Sequence, residues 1–342
     1  MTRVLAGPSG PGTSSARIRC AGQSPREVNF GCPWPLRESP FRERARESAL
    51  EWMEDFGLTR DFEANVAQFR HWKLAECAAW FYPDGTPEGV ELAAQLMGWY
   101  FAPFDDQFDG DLARDSQAAA QLCGELTTIL DLPEGAPLPA PSPVVAGFAD
   151  LWWRSCRGMS TQWRQRAAQH WRQYLSRQLA EVVDRRHART QDVEGCLRRR
   201  AVTTSSGPLS DLIECLSGFE VPDQAWQSPL LSELRRLTAE IISITNDLVS
   251  AEKEEAQGDR VNNLLLILED QHGCTRHQAI ERLREMTHER YARFLRLETQ
   301  APDLDDVLTT TGRIALRRYI TGLHDLLAGD NEWEHTSGRY AT

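Results

Sequence analysis

LLSELRRLTAEIISITNDLVSAEKEEAQG (residues 230–258) reads as one helix that carries its own chemistry. Apolar residues crowd its middle in EIISIT (240–245), and a polar line follows at once. Asn246, Ser250 and Glu254 recur at every fourth position, so an amide, a hydroxyl and a carboxylate share one helical face. All three are hard oxygen donors of the kind a divalent cation such as Mg²⁺ takes, with room left for phosphate oxygens. A solvated polar face would use the same residues, so the cluster gains meaning only from a partner elsewhere in the chain. Lys253 stands beside Glu254, and a compact ammonium there suits a phosphate as a point charge.

The partner is VELAAQLMGWYFAPFDDQFDG (residues 90–110), expected to be a single helix that is apolar until its acidic end. Asp105 and Asp109 lie one turn apart on such a helix, and their charges repel unless a cation sits between them. The run before them holds Trp99, Tyr100, Phe101 and Phe104, which sets an acidic rim above an aromatic wall. A third acidic run, Asp303, Asp305 and Asp306, reads as the opening of a helix, where carboxylates favour the helix dipole.

Outward from these two segments the chain remains helical. SPFRERARESALEWMEDFGL (39–58) puts Ala45, Ala49, Trp52 and Phe56 on one face and stops at Gly57. TQWRQRAAQHWRQYLSRQLAEVVDRR (161–186) is a long helix, and the Pro-rich LPEGAPLPAPSP (132–143) is the clearest break. Period-2 alternation and internal repeats are essentially absent, so the expectation is one all-α domain of about ten to twelve helices. Residues 29–342 form that domain, and residues 1–28, rich in Gly, Pro and Ser at the start, are expected to be a disordered tail. Inside RRRAVTTSSGPLSDL (198–212) the Thr, Ser and Gly residues compete with helical hydrogen bonds and predict a break in a helix.

Composition narrows the partners. The 342 residues carry a net charge of −12, which disfavours nucleic acid and anionic membranes. An anionic substrate therefore needs a locally positive pocket. Only Lys73 and Lys253 are lysines among 38 basic residues, a skew that fits GC-rich bacterial coding. The 8 cysteines show no metal-like spacing and read as free thiols in a reducing cytoplasm. No secretory signal and no stretch of roughly 20 apolar residues is present, which supports a cytoplasmic location.

These residues resemble those of the class I terpene synthases, specifically the bacterial terpene cyclases. That family's DDxxD motif is matched by Asp105, Asp106 and Asp109. Its (N/D)Dxx(S/T)xxxE triad is matched by Asn246, Asp247, Ser250 and Glu254. Its C-terminal Arg-Tyr pair after a Trp is matched in WEHTSGRYAT by Trp333, Arg339 and Tyr340. A diphosphate-sensing arginine, a fixed distance before the triad, falls on Arg200, within the run Arg198 to Arg200. The linker and effector positions then fall on Thr203 and Thr204 at the expected helix break.

The resemblance implies a single-domain helical bundle around a central apolar active-site cavity. It implies that three Mg²⁺ ions clamp the diphosphate of a linear isoprenyl substrate, held by Asp105, Asp109, Asn246, Ser250 and Glu254, with Asp106 hydrogen-bonding. Arg200, Lys253, Arg339 and Tyr340 would bind the diphosphate. Ionisation would leave a carbocation that aromatic faces stabilise by about 0.5–2 kcal/mol each. Phe101, one helical turn before Asp105, is nominated for that role, with Trp99, Phe81 and Trp333 beside it. The implied reaction is cyclisation of farnesyl diphosphate to a sesquiterpene hydrocarbon or alcohol, with geranylgeranyl diphosphate as the second substrate reading. A chain-elongating prenyl diphosphate synthase would carry a second aspartate-rich motif where this chain has NDxxSxxxE. A non-catalytic isoprenoid-binding protein would lack metal-dependent diphosphate release. Homodimers are frequent in the family and stand as one assembly for this chain.

Overall fold

The computed structural model describes residues 24–59, 62–138, 140–187, 192–204 and 206–340. The expected tail at residues 1–23 lies outside the described residues. Among them the secondary structure is entirely helical. The α-helices are α1 (Arg42–Asp55), α2 (Phe62–His71), α3 (Leu74–Phe81), α4 (Pro87–Trp99), α5 (Asp105–Asp109), α6 (Ser116–Ile129), α7 (Pro143–Cys156) and α8 (Thr161–His187). They continue with α9 (Val193–Thr203), α10 (Ser206–Cys215), α11 (Asp223–Trp226), α12 (Pro229–Gln257), α13 (Leu264–His272), α14 (Arg276–Glu298) and α15 (Thr310–Thr336).

Helix α12 is the axis of one half of the bundle and packs against α9, α10, α13, α14 and α15. Helix α4 plays the same part in the other half, against α1, α3 and α7. Helix α15 joins the halves by packing on both α3 and α12. The join depends on Gly329, where a Cβ would come within 2.9 Å of the Trp80 backbone and 2.8 Å of the Phe81 ring. Only a residue without a side chain lets α15 press on α3 so closely. The α1 face expected from the sequence is the buried one, with Ala45, Ala49 and Trp52 in the core and Gly57 ending the element at φ +64°.

Three expectations are corrected. The segment 90–110 is not one helix: α4 gives way to a π-helical turn, Tyr100–Phe104, before α5. Pro103 lies inside that turn, and its missing N–H and bulky ring forbid the regular i to i−4 ladder. The acidic run 303–306 does not open a helix. Asp303 lies in a 3₁₀ turn, Ala301–Leu304, and α15 starts later, capped by the Thr309 hydroxyl that accepts from Gly312 N. The third concerns residues 24–28 of the expected tail, where Pro25–Glu27 form a 3₁₀ turn docked on the domain. Ser24 Oγ donates to Glu252 (2.8 Å), Arg26 Nη2 to Ser337 O (2.7 Å), and the buried Val28 accepts from His335 Nε2 (2.9 Å).

Candidate active site

One cavity, with about 1060 Å³ of atom-free space partly open to solvent, gathers most of the nominated residues. Its walls come from α3, the π-turn, α8, α9, α12 and the chain's C-terminal end. Aromatic walls from Phe81, Phe101, Phe108 and Trp333 meet a polar region centred on α12.

The polar line on α12 is real and braced. Asn246, Ser250, Lys253 and Glu254 all face the cavity. Asn263, the residue before α13, uses both ends of its amide. Its Oδ1 caps α13 by accepting from Leu265 N and Leu266 N. Its Nδ2 donates to Glu254 Oε2 (3.0 Å) and Ser250 Oγ (3.4 Å), so those two oxygens converge on one point. Burial pushes the Glu254 carboxyl up to about 8, with Arg200 opposing and Asp247 and Asp259 adding to the rise. The buried Ser250 hydroxyl and the part-buried Asn246 amide and Glu254 carboxylate form a hard-oxygen set along one cavity wall that suits a divalent cation. Among the described residues no three His, Cys, Asp or Glu side chains gather closely enough to hold a metal alone, which leaves this mixed donor set as the candidate.

Arg200 is the arginine the cavity selects. Arg198 is exposed, and Arg199 turns away to pair with Asp184. Arg200 is buried and donates from Nε to Asp247 Oδ1 (2.7 Å) and from Nη2 to Asn246 Oδ1 (2.6 Å). Asp247 is thus an orienting residue, fully buried, whose other oxygen accepts from Leu264 N (2.7 Å). Burial raises its carboxyl to about 6 despite the pull of Arg200.

At the opposite wall Asp105 begins α5 and pairs with Arg339. The Arg339 guanidinium also donates to Phe101 O (3.3 Å) and lies over Trp72 and Phe101, 4.8 and 5.0 Å from their ring centroids. Tyr340 closes the ring of contacts, its hydroxyl accepting from Asn246 Nδ2 (3.0 Å). The C-terminal pair therefore spans both motif-bearing walls. Asp109 ends α5, and the side chains of Asp106 and Asp109 lie outside the described residues.

The expected helix break falls between α9 and α10. Thr203 ends α9, and Thr204 leaves helical geometry at φ −78°, ψ 15°. Both line the cavity, while Ser205 lies outside the described residues. Thr203 O accepts from Gln178 Nε2 (3.3 Å), which also donates to Tyr174 Oη (2.9 Å), and Tyr174 Oη donates to Tyr100 Oη (3.0 Å). This chain joins the π-turn to the break across α8. Sequence reasoning missed it because its members come from three separate helices.

Three of the four nominated aromatics reach the cavity: Phe81, Phe101 and Trp333, the last two with ring centroids 4.6 Å apart. Trp99 does not. It is fully buried between Phe104, Phe148 and Trp171 and donates Nε1–H to Val144 O (2.8 Å), which makes it core. The π-turn also changes the reason for Phe101: Asp105 N–H bonds to Tyr100 O, five residues back, so α-helical spacing does not relate Phe101 to Asp105. Asn263 had a legible signal, an N-cap type directly before LLLIL. Asp330 and Glu334 also line the cavity and carried no motif.

Residues 95–293 match the family described as terpene synthase family 2, C-terminal metal binding. The chain belongs to the terpene synthase family. It is 37% identical over 324 residues to pentalenene synthase of Streptomyces avermitilis, covering 93% of this chain and 94% of that one. It is 36% identical to a (−)-β-caryophyllene synthase of Saccharothrix espanaensis, described as cyclising (2E,6E)-farnesyl diphosphate, over 93% of this chain and 90% of that one. The solved structure of wild-type cucumene synthase superposes with a TM-score of 0.79 at 48% identity, covering 90% of this chain and 100% of that one. Metal binding is part of the description of this terpene synthase family.

Proposed function

We propose that this protein is a Mg²⁺-dependent sesquiterpene cyclase that ionises farnesyl diphosphate, cyclises the carbocation and releases diphosphate. The observation that carries the reading is the meeting of hard-oxygen donors and fixed cationic donors at one end of an aromatic-walled cavity. The fifteen-carbon substrate is supported by the caryophyllene synthase relative, which is described as acting on it. Asp105, Asp109, Asn246, Ser250 and Glu254 would hold the metal, three ions by family resemblance. When bound, Mg²⁺ supplies charge neutralisation that makes diphosphate a better leaving group.

The chain's own groups then divide the work. Arg200, held by Asp247, offers its planar guanidinium to diphosphate oxygens, and Arg339, Lys253 and Tyr340 add donors around the same group. These donors are preorganised, so they stabilise the departing anion with little reorganisation. Phe81, Phe101 and Trp333 turn π-faces toward the cation and give water few polar footholds on that side. Thr203 and Thr204 bring the non-helical backbone of the break to the cavity wall. A cytoplasmic location is supported by seven unpaired cysteines among the described residues, where no helix is long and apolar enough to cross a membrane.

The test is purified protein with Mg²⁺ and geranyl, farnesyl or geranylgeranyl diphosphate, products read by gas chromatography–mass spectrometry. Cyclic fifteen-carbon product from farnesyl diphosphate alone is the expected outcome. Product only from geranylgeranyl diphosphate would replace the substrate, and no diphosphate release from any of the three would overturn the reading.

A further inference from the structure

The cavity wall carries a carboxyl group that neither motif uses. Asp330 lies on α15 one turn before Glu334 and lines the cavity with Trp333 and Phe81. It is only 4% exposed, yet it has no hydrogen bond or ion pair with any described residue. Its position follows from Gly329, whose missing side chain lets this turn of α15 press against Trp80 and Phe81. The titratable groups that face it are Glu334 on its own helix, Cys77 on α3, Tyr291 on α14 and Cys32 before α1. None of these is a cation. Burial, with Glu334 second, holds the Asp330 carboxyl well above the usual carboxylate range.

That protonation state has chemical consequences in a chamber that handles carbocations. A neutral carboxylic acid is a poor nucleophile and keeps a proton to give. We propose that Asp330 is the proton-transfer group of the cavity, protonating a double bond of a neutral cyclic intermediate and later taking a proton from the final cation. The proposal rests on the cyclase reading above.

The step balances. The first cyclic cation loses a C–H proton to the released diphosphate and becomes a neutral polyene. The O–H bond of Asp330 then breaks as a C–H bond forms from the alkene π pair, leaving a new cation and a carboxylate. The carboxylate finally removes a proton adjacent to the last cationic centre. That C–H pair becomes the new π bond, and the O–H bond is restored. Substrate has become hydrocarbon plus protonated diphosphate, with no oxidant or reductant.

The experiment is turnover of farnesyl diphosphate in D₂O by the full-length protein and by Asp330→Asn and Asp330→Glu. Diphosphate release and product mass are both recorded. Asp330 exchanges with solvent between turnovers, so the wild-type hydrocarbon should gain one deuterium. In Asp330→Asn the ratio of native hydrocarbon to released diphosphate should fall about a hundredfold, the usual size of a lost general acid, with a less cyclised, unlabelled olefin in its place. Asp330→Glu should recover part of the label. Unlabelled wild-type product overturns the proposal without any variant having to fold. So does an Asp330→Asn protein that makes the same labelled product. Absence of diphosphate release from wild-type protein with any isoprenyl diphosphate would instead overturn the cyclase reading and this proposal with it.

Discussion

Asn246, Ser250 and Glu254 ride on a 29-residue helix, whereas Asp105 opens a helix of 5 residues that follows a π-turn. On the α12 wall each of the three has a protein partner behind it: Asn263 for Ser250 and Glu254, Arg200 and Tyr340 for Asn246. The α5 wall follows an interrupted backbone, with Asp105 paired to Arg339 and Phe108 seated in the core against Phe104. The two walls offer similar oxygen chemistry on supports of unequal stiffness. A long helix packed on several others loses little on presenting a fixed donor set, while a π-turn, whose carbonyls and N–H groups are out of the regular ladder, can change register at small cost. On the proposed reading the braced wall would be the preformed half of the metal site, and the Asp105 wall the half that adjusts to it.

The sharpest way to break this comparison is Asn246→Leu. It removes an oxygen donor and the hydrogen bonds to Arg200 and Tyr340 together, and should lower turnover at least about a hundredfold while the far-ultraviolet circular dichroism stays helical. Wild-type turnover in that protein would dissolve the assignment of α12. A smaller effect follows from Asn263→Ala, which strips the α13 cap and the brace on Ser250 and Glu254. It should cost about 1 kcal/mol of stability from the cap alone. It should also raise the Mg²⁺ concentration for half-maximal rate several-fold, measured by titration with kcat followed separately. A metal dependence identical to wild type would mean that the wall needs no brace.

Pro103→Ala tests the other side. It restores the missing N–H and lets residues 100–104 revert toward a regular helix, so stability should hold or rise while kcat falls a few-fold. An unchanged kcat would show that the π-turn does not set the reach of Asp105. The smallest effect on diphosphate release is expected from Phe101→Ala, which leaves every oxygen and nitrogen donor of the site in place. It should change the hydrocarbon mixture more than the release rate, and an unchanged mixture would return Phe101 to core packing.

The polar line on α12 was legible because it is periodic in a single helix, and a helix places every fourth residue on one face wherever it packs. The helix break and the long 161–186 helix were legible for the same local reason. The π-turn had a visible cause in Pro103, but a proline inside an apolar run does not announce which irregular geometry it will take. Trp99 and Phe101 were both nominated as aromatic wall, Phe101 on its spacing from Asp105. One became core because α7 and α8 bring Phe148 and Trp171 onto it, and the other became cavity wall because Trp333 and Arg339 arrive from the far end of the chain.

By itself the sequence determined the helical class, the two oxygen-rich faces, the arginine cluster and the family to which they belong, since each is written within a few turns of one segment. The tertiary structure alone decided that Arg200 and not its neighbours faces the cavity, that Asn263 braces α12, and that a carboxyl group at Asp330 enters the aromatic wall. Those outcomes depend on which helices meet and how closely. Side-chain burial and pairing are set by contacts between residues far apart in the chain, and a local pattern carries no record of them.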